Sequence, residues 1–228
     1  MIEFLLLDLD DTILDFHMHE SEAIRKTLSG AGIEPTDENC ALYSKINLRY
    51  WKMLEMGEIT REELTWQRFQ ELFEVLGVVA DPKETAEKYM DHLSEGHYFL
   101  SGAEEAVKSL SKKYKLYMAS NGTGRVQESR IASAGLAPYF EEIFISQNIG
   151  ANKPDKAYFD GCFAKIPNFD RRKAIIVGDS ISSDIRGGKN AGIYTCWVNP
   201  KGKTAQPEDR PDYEIKSITE LEDLLENR

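Results

Sequence analysis

Residues 4–16 read FLLLDLDDTILDF, an apolar run that ends in three aspartates, Asp8, Asp10 and Asp11. A short apolar run without helical spacing reads as a buried strand, here over residues 3–8. Carboxylates set that close together repel, and each loses hydration on burial unless a cation neutralises it. The cluster is therefore either a solvated turn or a place that holds a metal. The rest of the chain decides between the two.

Downstream of the aspartates the pattern is helical. HESEAIRKTLSGAG, ENCALYSKINLRYWKMLEMG, TREELTWQRFQELFEVLG and DPKETAEKYMDHLSEG are four amphipathic segments, with Gly32, Gly57, Gly77 and Gly96 near their ends as stops. Thr60 ahead of Glu63 fits a capping box. After Leu100 helical and apolar segments alternate. The strands are YKLYMAS, EIFIS, KAIIVGD and YTCWV, and ITELEDLLEN is a final helix. Between them lie the helices AEEAVKSLSKK, RVQESRIASAGL, DKAYFDGCFAKI and SSDIRGGKNAG, and residues 199–211 read as one long polar loop. Such alternation predicts a parallel sheet with helices on both faces. The first strand belongs to that sheet, so the helical segment is an insertion. The expected fold is α/β, a Rossmann-like doubly wound parallel sheet built from residues 1–15 and 99–228, with an inserted helical domain over 16–98.

With 228 residues, 41% of them hydrophobic, the chain can build a real core. A net charge of −11 argues against a nucleic-acid partner or an anionic membrane surface. A small anionic substrate stays open, because one metal ion and one lysine reverse the field locally. Cys40, Cys162 and Cys196 are odd in number and far apart, which predicts neither a disulfide framework nor a zinc site. The N-terminal apolar run is too short for a signal peptide, and no segment has the length of a membrane span, so a cytoplasmic setting is expected.

In an open parallel sheet, ligands bind outside the carboxyl ends of the strands. Those ends carry Asp8-Leu9-Asp10-Asp11-Thr12, Ser120-Asn121-Gly122, Asn152-Lys153-Pro154, and Gly178-Asp179-Ser180 with Asp184 five residues beyond Asp179. Any one of these alone reads as a cap or a turn. Together, in this order, DLDDT, MASNG, NKP and GDSISSD resemble the four motifs of the haloacid dehalogenase (HAD) superfamily, most of whose members are phosphatases.

The resemblance implies a residue-by-residue assignment. Asp8 is the nucleophile that becomes an aspartyl-phosphate, and Asp10 is the general acid and base. Asp8 and Asp10, two apart in extended chain, are expected to share a direction while Asp11 points elsewhere. Asp11 is left to solvent or structure, and Thr12 to backbone hydrogen bonding. The backbone amides of Leu9 and Asp10, the Ser120 hydroxyl, Asn121 and Lys153 would hold the phosphate. Mg²⁺ would be bound by Asp8, by the Asp10 carbonyl and by Asp179, with Asp184 behind them on a metal-bound water or on Lys153. Pro154 suits the first turn of the next helix.

The insertion corresponds to the family's type C1 cap, which closes over the site and selects the substrate. Within it, Asn47, Trp51, Gly57-x-Ile59-Thr60 and Arg68-Phe69 resemble the pyrimidine 5′-nucleotidase branch. That resemblance implies a nucleoside 5′-monophosphate substrate, with Asn47 and Trp51 reading the base. Trp51, Trp66 and Phe69 also fit plain core positions by their spacing, and His17 and His19 fit a solvated loop. Other expectations stay open: a sugar phosphatase or phosphoglycolate phosphatase, a phosphomutase, or a non-catalytic phosphate-binding protein. A dehalogenase is disfavoured, since that branch needs neither Asp10 nor a metal. The expected assembly is a monomer or weak dimer.

Overall fold

The structure, a computed structural model, describes residues 1–227. The chain divides into two compact units, Met1–Phe16 with His97–Arg228, and His17–Gly96.

The first unit is built on β1 (Phe4–Leu7). Every residue of β1 is buried, and alternate side chains feed opposite layers. Leu5 and Leu7 join one core with Met118, Ile175 and Val177, and Phe4 and Leu6 join another with Phe144, Tyr158 and Phe159. That two-sided burial is why the strand reads as a continuous apolar run rather than an alternation. The second unit follows, with α1 (Phe16–Gly30), α2 (Asp37–Glu55), α3 (Arg61–Leu76) and α4 (Pro82–Leu93).

The chain then returns to the first unit through α5 (Ala103–Leu110), β2 (Lys115–Ser120), α6 (Gly124–Ser133), β3 (Glu142–Ile145), α7 (Ser146–Ile149) and α8 (Lys156–Phe163). It ends with β4 (Ala174–Gly178), α9 (Arg186–Ala191), β5 (Tyr194–Val198), β6 (Tyr213–Ile215) and α10 (Leu221–Glu226). Among the described residues the strands form one sheet in the order β3-β2-β1-β4-β5-β6, with every pairing parallel. This is the doubly wound arrangement, and its direction of winding reverses between β1 and β4. The α/β expectation holds, with β6 as an addition between the expected polar loop, 199–211, and the final helix.

Two local departures matter for the site. The helix expected from Ser182 begins with a turn of π-helix, Ile181–Ile185, before α9. There the Ile185 N–H donates to the Ser180 carbonyl at 3.2 Å, five residues back. Pro154 is not in the first turn of α8: Asp155 caps that helix, and the Lys153–Pro154 peptide is cis. α9 lies directly on the sheet, because a Cβ on Gly188 would stand 2.5 Å from Ile176 Cγ2 and 2.6 Å from Thr195 Cγ2. Gly188 therefore serves close helix–sheet packing, and Gly187 serves the packing against α8, where a Cβ on it would stand 2.7 Å from Phe159 Cε2.

The second unit contains four α-helices among its described residues. The capping box forms, with Glu63 N–H donating to Thr60 Oγ1 at 3.2 Å and Thr60 N–H to Glu63 Oε2 at 2.8 Å. Gly77 stops α3 in the left-handed conformation at φ 66°. Tyr43, Phe69 and Tyr89 pack with ring centroids 5.2–5.4 Å apart, which makes Phe69 a core residue. His17 and His19 lie in α1 rather than in a loop, and His19 is buried with Nε2 2.7 Å from the Leu93 carbonyl.

Candidate active site

The strand order sets the reversal between β1 and β4, and the residues that follow those two strands are Asp8 and Asp179. The Asp8 N–H continues the ladder, donating to the Val177 carbonyl at 2.9 Å, so the two strand ends are held side by side. Asp179 is fixed through its own carbonyl, which accepts from Trp197 Nε1 on β5 at 2.8 Å. Asp184 is turned back toward the strand end by the π-turn, where Ser180 N–H donates to its Oδ2 at 3.0 Å. Gly178 makes room for it: a Cβ there would stand 2.2 Å from Asp184 Oδ2.

Lys153 joins these groups although it is 1% exposed. Its Nζ donates to Asp8 Oδ1 at 2.8 Å, to Asp184 Oδ1 at 2.6 Å and to the Ala119 carbonyl at 2.6 Å. An ammonium has three protons, so all three are engaged by protein acceptors. A phosphate oxygen would reach this lysine only by exchange with one of them. The Asn121 side chain holds the Lys153 backbone in place: its Oδ1 accepts from Lys153 N–H and its Nδ2 donates to the Lys153 carbonyl, both at 2.8 Å. Asn121 thus positions the lysine, a part distinct from the phosphate contact expected of it.

One carboxylate oxygen each from Asp8, Asp179 and Asp184 lies within 4.8 Å of the others. Burial, with the nearby charges of Asp184 and Asp10, raises Asp8 to about 7 against the pull of Lys153. Burial also pushes Asp179 to about 9, reinforced by Asp8, Asp184 and Asp11. Burial works to lower Lys153, but Asp184 and Asp8 prevail and raise it. Three carboxylates against one ammonium leave two negative charges uncompensated. Hard oxygen donors with an excess charge of two fit a small divalent cation. Asp184 has the geometry of a direct ligand as well as of the lysine partner expected from the sequence.

Asp10 faces elsewhere. β1 stops at Leu7, so the two-residue alternation does not extend to Asp8 and Asp10. The Asp10 carboxylate is held by α6: Gln127 Nε2 donates to Oδ2 at 2.6 Å, and Arg130 Nη1 donates to Oδ1. Neither Gln127 nor Arg130 is among the residues expected from the sequence. The one signal available was position, since Gln127 follows Ser120-Asn121-Gly122 by a turn of helix. Ser120 is buried at the end of β2, and its Oγ accepts from Gly122 N–H at 3.1 Å and from Gln127 Nε2 at 2.8 Å. The Leu9 side chain is core, which leaves only its backbone for a ligand. Asp11 sits at φ 57° and accepts from Phe16 N–H at 3.0 Å, a structural part. Thr12 does not bond to the backbone as expected; its hydroxyl lies 3.4 Å from Asp8 Oδ2.

Within the second unit, Asn47 is buried with both ends of its amide engaged. Its Nδ2 donates to Glu20 Oε1 and its Oδ1 accepts from Arg68 Nη1, each at 2.6 Å. Trp51 is half-buried, with the Arg61 guanidinium 5.6 Å above its ring. No helix among the described residues is long and apolar enough to cross a membrane.

Residues 5–198 match the family model for haloacid dehalogenase-like hydrolases. The chain is 40% identical over 221 residues to the HAD hydrolase YfnB of Bacillus subtilis, covering 97% of this chain and 94% of that protein. It is 37% identical to the pyrimidine 5′-nucleotidase PynA of Streptococcus pneumoniae, over 98% of this chain and 95% of the other. For the pyrimidine 5′-nucleotidase YjjG of Escherichia coli the identity is 31%, over 98% and 97%. A crystal structure of YfnB bound to magnesium superposes with a TM-score of 0.94 at 39% identity, covering 98% of each chain.

Proposed function

The chain belongs to the haloacid dehalogenase-like hydrolases, and from that premise we propose that it is a Mg²⁺-dependent phosphatase of small phosphate monoesters, acting on pyrimidine nucleoside 5′-monophosphates. The observation that carries the catalytic part is the convergence of three distant segments on one lysine: Asp8, Asp184 and the β2 end all bond to Lys153 Nζ beside Asp179. The nucleotide part rests on PynA and YjjG, whose similarity runs through the helical unit as well as the sheet.

In this reading Asp8 attacks phosphorus, the P–O bond to the alcohol breaks, and Asp10 gives its proton to the departing oxygen. Asp10 then takes a proton from water as that water attacks the aspartyl-phosphate, which frees inorganic phosphate and restores the Asp8 carboxylate. Ser120 donates to a phosphate oxygen, and Lys153 sets the charge around the nucleophile. Mg²⁺, held by Asp8, Asp179, Asp184 or the Asp10 carbonyl, supplies charge stabilisation to the transferring phosphoryl group. Residues 17–96 form the cap that selects the substrate, with Trp51 as a stacking surface for the base. Asn47 contributes through the buried chain Glu20–Asn47–Arg68.

Phosphate release from a panel of monoesters tests the substrate. Uridine and thymidine 5′-monophosphates should exceed sugar phosphates and phosphoglycolate in kcat/KM. If pyrimidine nucleotides rank no better than the rest, the nucleotidase assignment falls and the phosphatase assignment stands.

The metal is tested separately, through stability. Asp8 and Asp179 have folded-state pKa values above the usual 3.8, so the metal-free folded protein holds more protons than the unfolded chain over that window. Their contribution is fully present below about pH 4 and is lost as pH rises through about 7 and about 9. The Tm of chelated protein should therefore fall across this range. Mg²⁺ at a hundredfold excess over Kd should raise it by about 5–10 °C at the alkaline end. A Tm indifferent to Mg²⁺ at pH about 8–9, where these carboxyls would charge, removes the metal from the account.

A further inference from the structure

Among the described residues Arg130 is the largest fully buried side chain, and its guanidinium lies over the ring of Phe16, 5.3 Å from guanidinium carbon to centroid. Nε and Nη2 have no hydrogen-bond partner among the described residues; Nη1 makes the bonds, to Asp10 Oδ1 and to Gln127 Oε1 at 2.9 Å. Removing a guanidinium from water is costly, and replacing an ion pair such as Arg130–Asp10 by apolar residues of similar volume is often neutral or stabilising. The position therefore asks for a reason beyond packing.

Gln127 supplies the other half. Its two amide protons go to Asp10 Oδ2 at 2.6 Å and Ser120 Oγ at 2.8 Å. The bond from Arg130 to Oε1 selects this orientation, because a flipped amide would set its oxygen against the Asp10 carboxylate and its NH₂ against the Arg130 guanidinium. With Gly122 N–H also donating to Ser120 Oγ, both lone pairs of that oxygen are taken, and its own proton is left to be donated. Gly122 leaves the space: a Cβ on it would stand 2.3 Å from Gln127 Nε2.

We propose that Gln127 and Arg130 are positioning residues that fix the acid/base carboxylate of Asp10 and the phosphate-binding hydroxyl of Ser120 as one unit. The inference rests on the phosphatase reading above and adds to it. Arg130 sets the amide, the amide sets both working groups, and a carboxylate otherwise free to rotate is held in one orientation. The effect falls on proton delivery to the leaving oxygen, so it depends on how much help that oxygen needs.

The test compares two esters with Mg²⁺ present: uridine 5′-monophosphate, whose alkoxide must be protonated to leave, and p-nitrophenyl phosphate, whose phenolate needs little help. Gln127→Met, which keeps the volume and removes the amide, should lose about 10²-fold in kcat on the nucleotide and less than about tenfold on the aryl ester. Arg130→Met should show the same split with little change in Tm, and Arg130→Lys should recover part of the loss. Equal losses on both esters, or none, overturn the inference while wild-type turnover keeps the phosphatase reading. A wild type that releases phosphate from neither ester removes both. Should Arg130→Met fail to fold, Gln127→Met, which buries no unpaired charge, decides alone.

Discussion

Asp8→Asn should fold, keep its place beside Lys153 and Thr12, and release phosphate on the order of 10⁵-fold more slowly than the parent. The substitution exchanges one carboxylate oxygen for an NH₂ group. The amide oxygen can still accept from Lys153, whose bond to Asp8 Oδ1 is 2.8 Å, so the neighbouring structure has no cause to move. What disappears is the anionic oxygen that attacks phosphorus, and a neutral amide has no comparable nucleophilicity. Burial and the charge of Asp184 already disfavour the Asp8 carboxylate, which sits at about 7. Replacing it by a neutral isostere relieves that repulsion, so the metal-free variant should be at least as stable as the parent above that pH. Loss of turnover without loss of Tm is the expected pair. Phosphatase activity close to that of the parent would falsify the covalent mechanism, and a collapsed Tm would show that Asp8 is a structural member of the cluster instead.

The residues that were legible in the sequence share one property: their chemistry follows from type and place along the chain. A strand-end aspartate or serine can be placed as soon as the strands are, because the carboxyl ends of parallel strands face one way. Asp8, Ser120 and Asp179 are of this kind, whereas Lys153 follows α7 and Asp184 lies in the π-turn, and both were legible by their place in the motifs rather than at a strand end. The parts that stayed hidden depend on partners far away or on very short segments. Gln127 and Arg130 pair with Asp10 across 117 and 120 residues, and inside RVQESRIAS they read as the polar side of an ordinary helix. β6 has three residues, too few for any periodicity, and is fixed by pairing with β5 and by the Asp212 carboxylate, which accepts from Thr195 N–H and Oγ1, both at 2.9 Å. The π-turn that aims Asp184 differs from an α-helix by one residue of hydrogen-bond register, which composition does not reveal. Asn47 shows the opposite error. It looked like a ligand contact because an amide suits a pyrimidine edge, and the fold engages both ends of that amide internally.

Lys153→Met should be the most destabilising single change at the site and should slow turnover as well. Among the described residues the ammonium is the one cation bonded to Asp8 and Asp184, and both carboxylates are buried. Removing one member of a buried ion pair leaves the partner charge uncompensated and costs about 3–5 kcal/mol, equivalent to a fall in Tm of roughly 10 °C for a chain of this length. Methionine fills most of the volume, so the loss is electrostatic rather than a cavity. Turnover should drop by about 10²–10³-fold or more, as when a preorganised donor is removed from a site of developing charge. The metal response separates the causes. With the lysine gone, three carboxylates face no resident cation, so added Mg²⁺ should raise the Tm of the variant by more than that of the parent. Lys153→Arg should not rescue, because the Asp8, Asp184 and Ala119 acceptors stand 2.6–2.8 Å from a single nitrogen and a planar guanidinium cannot converge on them. If Lys153→Met melts with the parent and responds to Mg²⁺ no more strongly, the charge balance argued for this site is wrong, even if catalysis is lost.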